Sequence, residues 1–350
     1  MRYISLDQVE PGDTLARSIY TSDGLTLLQA DVQLTVGMIH KLRRFGVTML
    51  SIKDPYTQDI KVEDVITETT RKEAIRNLSA AIQCVQSGKG MDMRSIQRSV
   101  HSIIDETLRN RRVLLNLGEI RTADNALFIH SLNVCMMATV MGVGLGYTHN
   151  QLKELAIGAL LHDIGKAVGV EEGIRETSLD AHHTWTGFHL LRKKHEMSIV
   201  SAHIALQHHE WVDGTGIPRG LTGADIHEFA KIVAICNYYD NLISPFSEEE
   251  TCHPYEACEK IMALAEKRFD HKMVIHFLRS IAVYPTGSSL RLSTGEVGIV
   301  IQQNRGLPSR PVVRIIRKER LRRLHDDVDH DIRDVDLSEA PTIFITGVLE

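Results

Sequence analysis

A mainly helical domain, flanked by a small α+β module at its amino end and a small β module at its carboxyl end, is the fold class this sequence predicts. Three observations carry that reading. Apolar residues recur at helical spacing from 119 to 282. Short β-like runs alternate with turn residues before residue 58. The period changes again after Tyr284-Pro285-Thr286-Gly287. The expected division is therefore 1–58, a helical connector over 59–118, the helical domain over 119–282 and the β module over 283–350.

In the first module Tyr3-Ile4-Ser5-Leu6, Leu25 to Leu28 and Val47 to Ile52 read as strands, divided by Pro11-Gly12-Asp13 and Ser22-Asp23-Gly24. Thr35 to Phe45 reads as a helix. Residues 59–118 are rich in Lys, Arg, Glu and Gln, with apolar residues at helical spacing, which predicts the connector. In the last module Ser289 to Leu292, Gly298 to Gln302 and Pro311 to Ile316 read as strands. Ser293-Thr294-Gly295 and Asn304-Arg305-Gly306 are their turns.

Composition narrows the function. The 350 residues are 43% hydrophobic and 24% charged, with a net charge of −5. That is ordinary for a globular protein and gives no basic face for a nucleic-acid polymer. The basic run Arg317 to Arg323 reads as a solvated face. Five cysteines lack CxxC spacing, which suggests reduced thiols in a cytoplasm. The opening MRYISLDQVEPGD has no signal-peptide pattern. The most apolar stretch, Ala126 to Gly146, is interrupted by His130, Ser131 and Asn133, so a soluble, cytoplasmic chain with no membrane partner is expected.

Histidine is the informative residue. Many of the 18 histidines fall between His130 and His209, and imidazole is a common transition-metal ligand. The sharpest motif is Leu161-His162-Asp163-Ile164-Gly165-Lys166. Adjacent residues on a helix point roughly 100° apart, so His162 and Asp163 are expected to straddle one site. An Asp beside a His supplies a carboxylate able to bridge two cations. A hydrogen-bonded His–Asp pair inside a helix would account for that dipeptide alone. His208-His209-Glu210 before Asp213-Gly214-Thr215-Gly216-Ile217-Pro218 argues against it, because two histidines before a glycine turn seldom serve packing. The HExxH zinc pattern fails at Asp213, and the deaminase pattern fails for want of PCxxC.

These residues resemble the HD-GYP family of the HD phosphohydrolases. The family's HHE-x-x-DG-x-GYP stretch stands here as His208 to Pro218. The likeness extends to His130-Ser131-Leu132-Asn133-Val134, to Gly158 to Lys166, to His183 through Gly187, and to Lys231 through Asn237. The resemblance implies one metal held by His130, His162, Asp163 and Asn237, and a second held by Asp163, His183, His208 and His209. Asp163 would bridge two divalent ions, iron or manganese, and a hydroxide activated by the pair would attack phosphorus. Asp163 and Lys166 would be catalytic, with Lys166 steadying the phosphoryl oxygens. Lys166, Gly214, Gly216, Ile217 and Pro218 would contact substrate. The implied reaction is hydrolysis of cyclic di-GMP to linear pGpG and on to GMP, in bacterial signalling. The expected partners are the cyclic dinucleotide, signalling proteins and a second copy of the chain.

Three positions and two segments depart from the family pattern. Asn237 replaces an Asp, so the first metal loses a charged ligand. Ile217 replaces the GYP tyrosine. The segment between Lys166 and His183 differs from the family's loop. Ser244 to Glu250 places acidic residues where phosphate-contacting bases are expected. Ala126 stands where some members carry a Glu for a third metal, so a three-metal centre is not expected. A second reading follows from these departures: a degenerate member that binds nucleotide or a partner and regulates without turnover. A third is an HD phosphohydrolase acting on another nucleotide.

Overall fold

The computed structural model describes residues 1–60, 63–117, 120–168, 182–247, 249–316 and 332–349. The basic run from Arg317 and nearly all of the segment between Lys166 and His183 lie outside these residues.

The amino-terminal module pairs β1 (Arg2–Ser5) antiparallel with β4 (Met49–Ile52), and β2 (Ile19–Tyr20) with β3 (Thr26–Leu28). Helix α1 (Val36–Arg44) begins where the Thr35 side chain accepts a hydrogen bond from the Met38 amide. Leu6, Leu15, Leu34, Leu42 and Leu50 form its core, and Ile120 from beyond the module joins them. The Asn125 side chain donates to Tyr20 O at 2.7 Å, and Ala123 N donates to Phe45 O. The module is thereby fastened to the residues that open the central helices.

Among the described residues nine helices follow: α2 (Glu68–Gln86), α3 (Met93–Arg109), α4 (Ala126–Gly144), α5 (His149–Leu160), α6 (His183–Leu191), α7 (Ile199–Gln207), α8 (Glu228–Leu242), α9 (Pro254–Ala263) and α10 (His271–Ser280). Their shared core begins at Val65, not at residue 119. The stretch read as a connector supplies Ile75, Leu78, Ile96, Val100 and Ile103 to it. Its polar composition belongs to the outer faces of two amphipathic helices.

Helix α4 is apolar around its whole circumference, with a mean hydropathy of 1.7, and is long enough to cross a membrane. It packs instead against α2, α3, α5, α8 and α10, and 72% of that stretch is buried within the fold. A helix hydrophobic on every side is what the centre of a helical domain requires.

The carboxyl-terminal module is one antiparallel sheet of β5 (Ser289–Leu292), β6 (Val297–Gln302), β7 (Val312–Ile316), β8 (Ile332–Asp336) and β9 (Ile345–Leu349), in the order β8-β7-β6-β5-β9. The two strands not foreseen, β8 and β9, are its edges. An edge strand covers less of the core and need not alternate apolar with polar residues; β8 reads Ile-Arg-Asp-Val-Asp and Ile332 is exposed. Arg314 on β7 ties the sheet to the rest of the chain through both carboxylate oxygens of Asp59.

Candidate metal centre

The candidate ligands come from four helices and the turns that end them. His130 lies on α4, buried among apolar neighbours. His162 and Asp163 do not lie within a helix, contrary to the sequence expectation. Helix α5 ends at Leu160, and the pair occupies the turn leading to a short 3-10 helix, Ile164–Ala167. His183 is the first residue of α6. His208 and His209 follow the last residue of α7.

Ending the helices there has a chemical consequence. The last carbonyls of a helix lack intrahelical partners. His162 Nδ1 donates to Ala159 O at 2.8 Å, and His208 Nδ1 donates to Ala205 O at 2.9 Å. Each ring is thus held in the tautomer that presents a bare Nε2 to the centre. The negative ends of α5 and α7 also point toward the same space, which favours a cation.

Asp163 stands at the middle. Its Oδ2 lies 3.5 Å from His162 Nε2 and 3.6 Å from His130 Nε2. Its Oδ1 lies 3.2 Å from His183 Nε2 and 3.5 Å from His208 Nε2. One oxygen faces each group of histidines. Two sets of converging ligand atoms result: His130, His162 and Asp163, and Asp163, His183, His208 and His209.

These residues fit divalent cations on two counts. Asp163 Oδ1 is buried, and neither imidazole near it makes a hydrogen bond to it; an orphaned buried carboxylate oxygen is costly unless a cation meets it. His130 Nε2 and His162 Nε2 lie 3.2 Å apart while the Nδ1 of each is engaged elsewhere. With each Nδ1 donating elsewhere, two Nε2 lone pairs face each other, a repulsion that a shared metal converts to attraction.

The charge states suit ligation. Burial lowers the His162 imidazole to about 4 and the His208 imidazole to about 3, so both are neutral near pH 7. Burial, with His208 and His183 beside it, likewise holds His209 well below the usual histidine range. For Asp163 burial alone would raise the carboxyl; His162 and Lys166 outweigh it and hold it well below the usual carboxylate range. Lys166 Nζ sits 2.6 Å from Asp163 Oδ2 with its side chain 44% exposed, so it reaches from the centre to its solvent side.

His182 precedes His183 but has another task. It caps α6, its Nδ1 accepting from the Thr184 amide, and this turns its ring to a structural task. Gly165 sets His183 in place: a Cβ there would fall 2.0 Å from His183 O, so only glycine lets the 3-10 turn approach α6 so closely. His189 stacks on Trp185 and His203 packs at Phe188. His195 is exposed on the connection to α7.

The glycine turn after the last histidine pair is held by Glu210. Its two carboxylate oxygens accept from Arg219 N and Leu221 N, each at 2.8 Å. Ile217 N donates to His209 O at 3.0 Å, and a Cβ at Gly216 would meet Trp211 N at 2.2 Å. Gly214, with φ of +82°, makes the turn itself. Gly214, Gly216, Ile217 and Pro218 therefore fold back against the end of α7, with the Ile217 side chain 38% exposed.

Asn237 is buried on α8 and accepts from Asn241 Nδ2. The carboxylate that reaches His130 from this helix is Asp240, one turn later on the same face. Its Oδ2 accepts from His130 Nδ1 at 2.7 Å, and Arg121 and Asn133 donate to it as well. Burial would raise this carboxyl, but Arg121 and His130 overcome that and keep it ionised. Sequence reading gave no role to Asp240, Arg121 or Glu210, because none is a metal ligand by spacing and the first two meet their partners only across the fold.

The outer side of Arg121 lines a cavity of about 1000 Å³ where the three modules meet, with Pro245, Glu250, Tyr255 and Tyr284 among its walls. The acidic stretch from Ser244 thus borders this cavity, of which Glu248 is outside the described residues.

A family model described as an HD domain matches residues 120–273, and one described as a KOW domain associated with the HD domain matches residues 290–350. A cyclic di-GMP phosphodiesterase of Pseudomonas aeruginosa is 29% identical over 229 residues, covering 62% of this chain and 54% of the relative. The cyclic di-GMP phosphodiesterase response regulator RpfG of Xanthomonas campestris is 27% identical over 238 residues, covering 63% and 62%. This chain thus spans between half and two thirds of those relatives' lengths. A solved HDG"Y"P protein from Bdellovibrio bacteriovorus aligns with a TM-score of 0.46 at 16% identity, over 79% of this chain and 97% of that one.

Proposed function

We propose that residues 120–273, which match a family model described as an HD domain, form a domain of the HD-GYP type, and that the chain is a metal-dependent phosphodiesterase of cyclic dinucleotides. Its substrate is cyclic di-GMP, opened to linear pGpG and then to GMP.

The observation that carries this reading is Asp163, with one oxygen turned to each histidine group. His130 and His162 would hold one ion, His183, His208 and His209 the other, and iron or manganese suits this donor set. The ions supply Lewis acidity and water activation when bound. The chain's own residues do the rest. Asp163 fixes the spacing between the two groups, and the carbonyls of Ala159 and Ala205 orient His162 and His208. Lys166 places a positive charge at the solvent side, where phosphoryl oxygens would arrive. The Gly214–Leu221 turn, braced by Glu210, forms a wall beside the centre. A cytoplasmic location, signalling partners and pairing with a second copy belong to the same proposal.

The test is turnover by protein purified without oxygen and loaded with iron or manganese. Cyclic di-GMP and 3'3'-cGAMP would be offered separately, with products separated by chromatography and metal counted per chain. Cleavage of cyclic di-GMP that disappears in Asp163→Asn supports the proposal. A folded, metal-loaded chain that cleaves neither compound overturns it.

One observation favours regulation without turnover. Asn237 leaves Asp163 as the sole carboxylate among the mapped ligands. That reading expects the loaded chain to bind cyclic di-GMP and leave it intact.

A further inference from the structure

A second cluster of ligating groups lies at the far end of α5. His101 and Asp105 are four residues apart on α3 and so share a face. His149, the first residue of α5, reaches toward them. His101 Nε2 is 3.4 Å from Asp105 Oδ2, and His149 Nε2 is 4.0 Å from Asp105 Oδ1. The imidazole rings meet edge to face at 5.5 Å. One nitrogen from each histidine and one carboxylate oxygen all lie within 4.8 Å of one another. We propose that His101, Asp105 and His149 form a separate surface site that takes one zinc ion and pins α3 to the start of α5.

Direct hydrogen bonding does not account for the cluster. Good N–H···O hydrogen bonds fall at about 2.7–3.2 Å, and both contacts are longer. What gathers the three side chains is the packing of α3 on α5 beneath them. Two imidazoles and a carboxylate form a donor set that zinc accepts, with water completing the tetrahedron. Zinc–nitrogen bonds of about 2.0–2.1 Å require the ligand atoms to close by roughly an ångström. Side chains 63%, 37% and 47% exposed can make that adjustment by small rotations.

The site is independent of the Asp163 centre. Helix α5 separates His149 from the His162 turn by about 17 Å of rise. Its role follows from its place. Helix α3 carries Ile96, Val100 and Ile103 into the shared core, and α5 ends at the His162–Asp163 turn. An ion bridging them resists sliding of one helix past the other. Because zinc binds only the folded arrangement, it stabilises the fold by linkage.

The experiment is zinc stoichiometry by equilibrium dialysis on the full chain, paired with thermal unfolding followed by circular dichroism. Wild type is compared with His101→Ala/His149→Ala, with each single variant and with Asp105→Asn. The proposal expects the double variant to bind one equivalent fewer than wild type, and Asp105→Asn to bind that equivalent at least tenfold more weakly. It also expects zinc to raise the wild-type midpoint more than that of the double variant. Equal stoichiometry in a folded double variant overturns it. So does retention of the equivalent by His149→Ala, since a site confined to α3 bridges nothing.

Discussion

Asp240 Oδ2 accepts a hydrogen bond from His130 Nδ1 at 2.7 Å, and through this contact a residue outside the converging ligand set determines which nitrogen His130 offers to the centre. The same carboxylate is gripped by Nη1 and Nη2 of Arg121, at 2.9 and 2.6 Å, and by Asn133 at 3.0 Å. Arg121 adjoins Ile120, which packs in the core of the amino-terminal module. The tautomer of a ligand on α4 is thus tied to the docking of that module.

Asp240→Asn should weaken metal binding by about 10–100-fold, the usual loss when an outer carboxylate partner of a ligating histidine is removed. It also leaves the Arg121 guanidinium buried without its counter-charge, which costs about 3–5 kcal/mol. Metal titration and thermal unfolding of the same variant measure both effects. Unchanged affinity in a folded variant would show that His130 needs no such partner.

His208→Ala and His209→Ala should each lower the metal content, whereas His195→Ala should leave it at the wild-type value. The first two sit among the converging ligand atoms and His195 is exposed away from them. Elemental analysis after identical anaerobic loading checks this. Equal loss in all three would mean that histidine content, and not position, governs metal uptake.

Asn237→Asp should strengthen metal binding and raise phosphodiesterase activity. Hard cations bind a charged oxygen more strongly than an amide oxygen, and position 237 lies one helical turn before Asp240 on the same face of α8. Metal stoichiometry and turnover of both versions decide it. Unchanged occupancy would remove position 237 from the centre; higher occupancy without turnover would favour the regulatory reading.

Gly165→Ala should destabilise the fold by about 1–3 kcal/mol, as overpacking does, and should cost metal in the His183 group. The added Cβ would lie 2.0 Å from His183 O and 2.7 Å from Gly187 N, both backbone atoms that cannot rotate away. A variant with wild-type midpoint and metal content would show that α6 shifts without consequence.

Glu210→Ala should raise KM for the cyclic dinucleotide more than it lowers metal content. Glu210 is not among the converging ligand atoms; it satisfies the amides of Arg219 and Leu221 and so holds the turn containing Gly216 and Ile217. Faster amide exchange at those two residues would accompany the change. A fall in metal content with KM unaltered would assign Glu210 to the centre itself.

Periodicity alone determined the helical centre, the β-rich tail and most of the strands, because a helix or strand that buries one face must repeat its apolar residues at that element's own period. Motif spacing likewise singled out His162, Asp163, His208 and His209, since ligands carried on one turn or one helix end stay close in sequence, and the family resemblance added His183. Tertiary structure decided what spacing cannot encode. Asp240 meets His130 across 110 residues, and Arg121 meets Asp240 across 119; nothing local in either segment announces such a partner. It also decided that α2 and α3 belong to the central core, because a polar outer face and a buried inner one average to an unremarkable composition. And it decided that one oxygen of Asp163 serves each histidine group, a division that exists only once four helices have brought their ends to the same point.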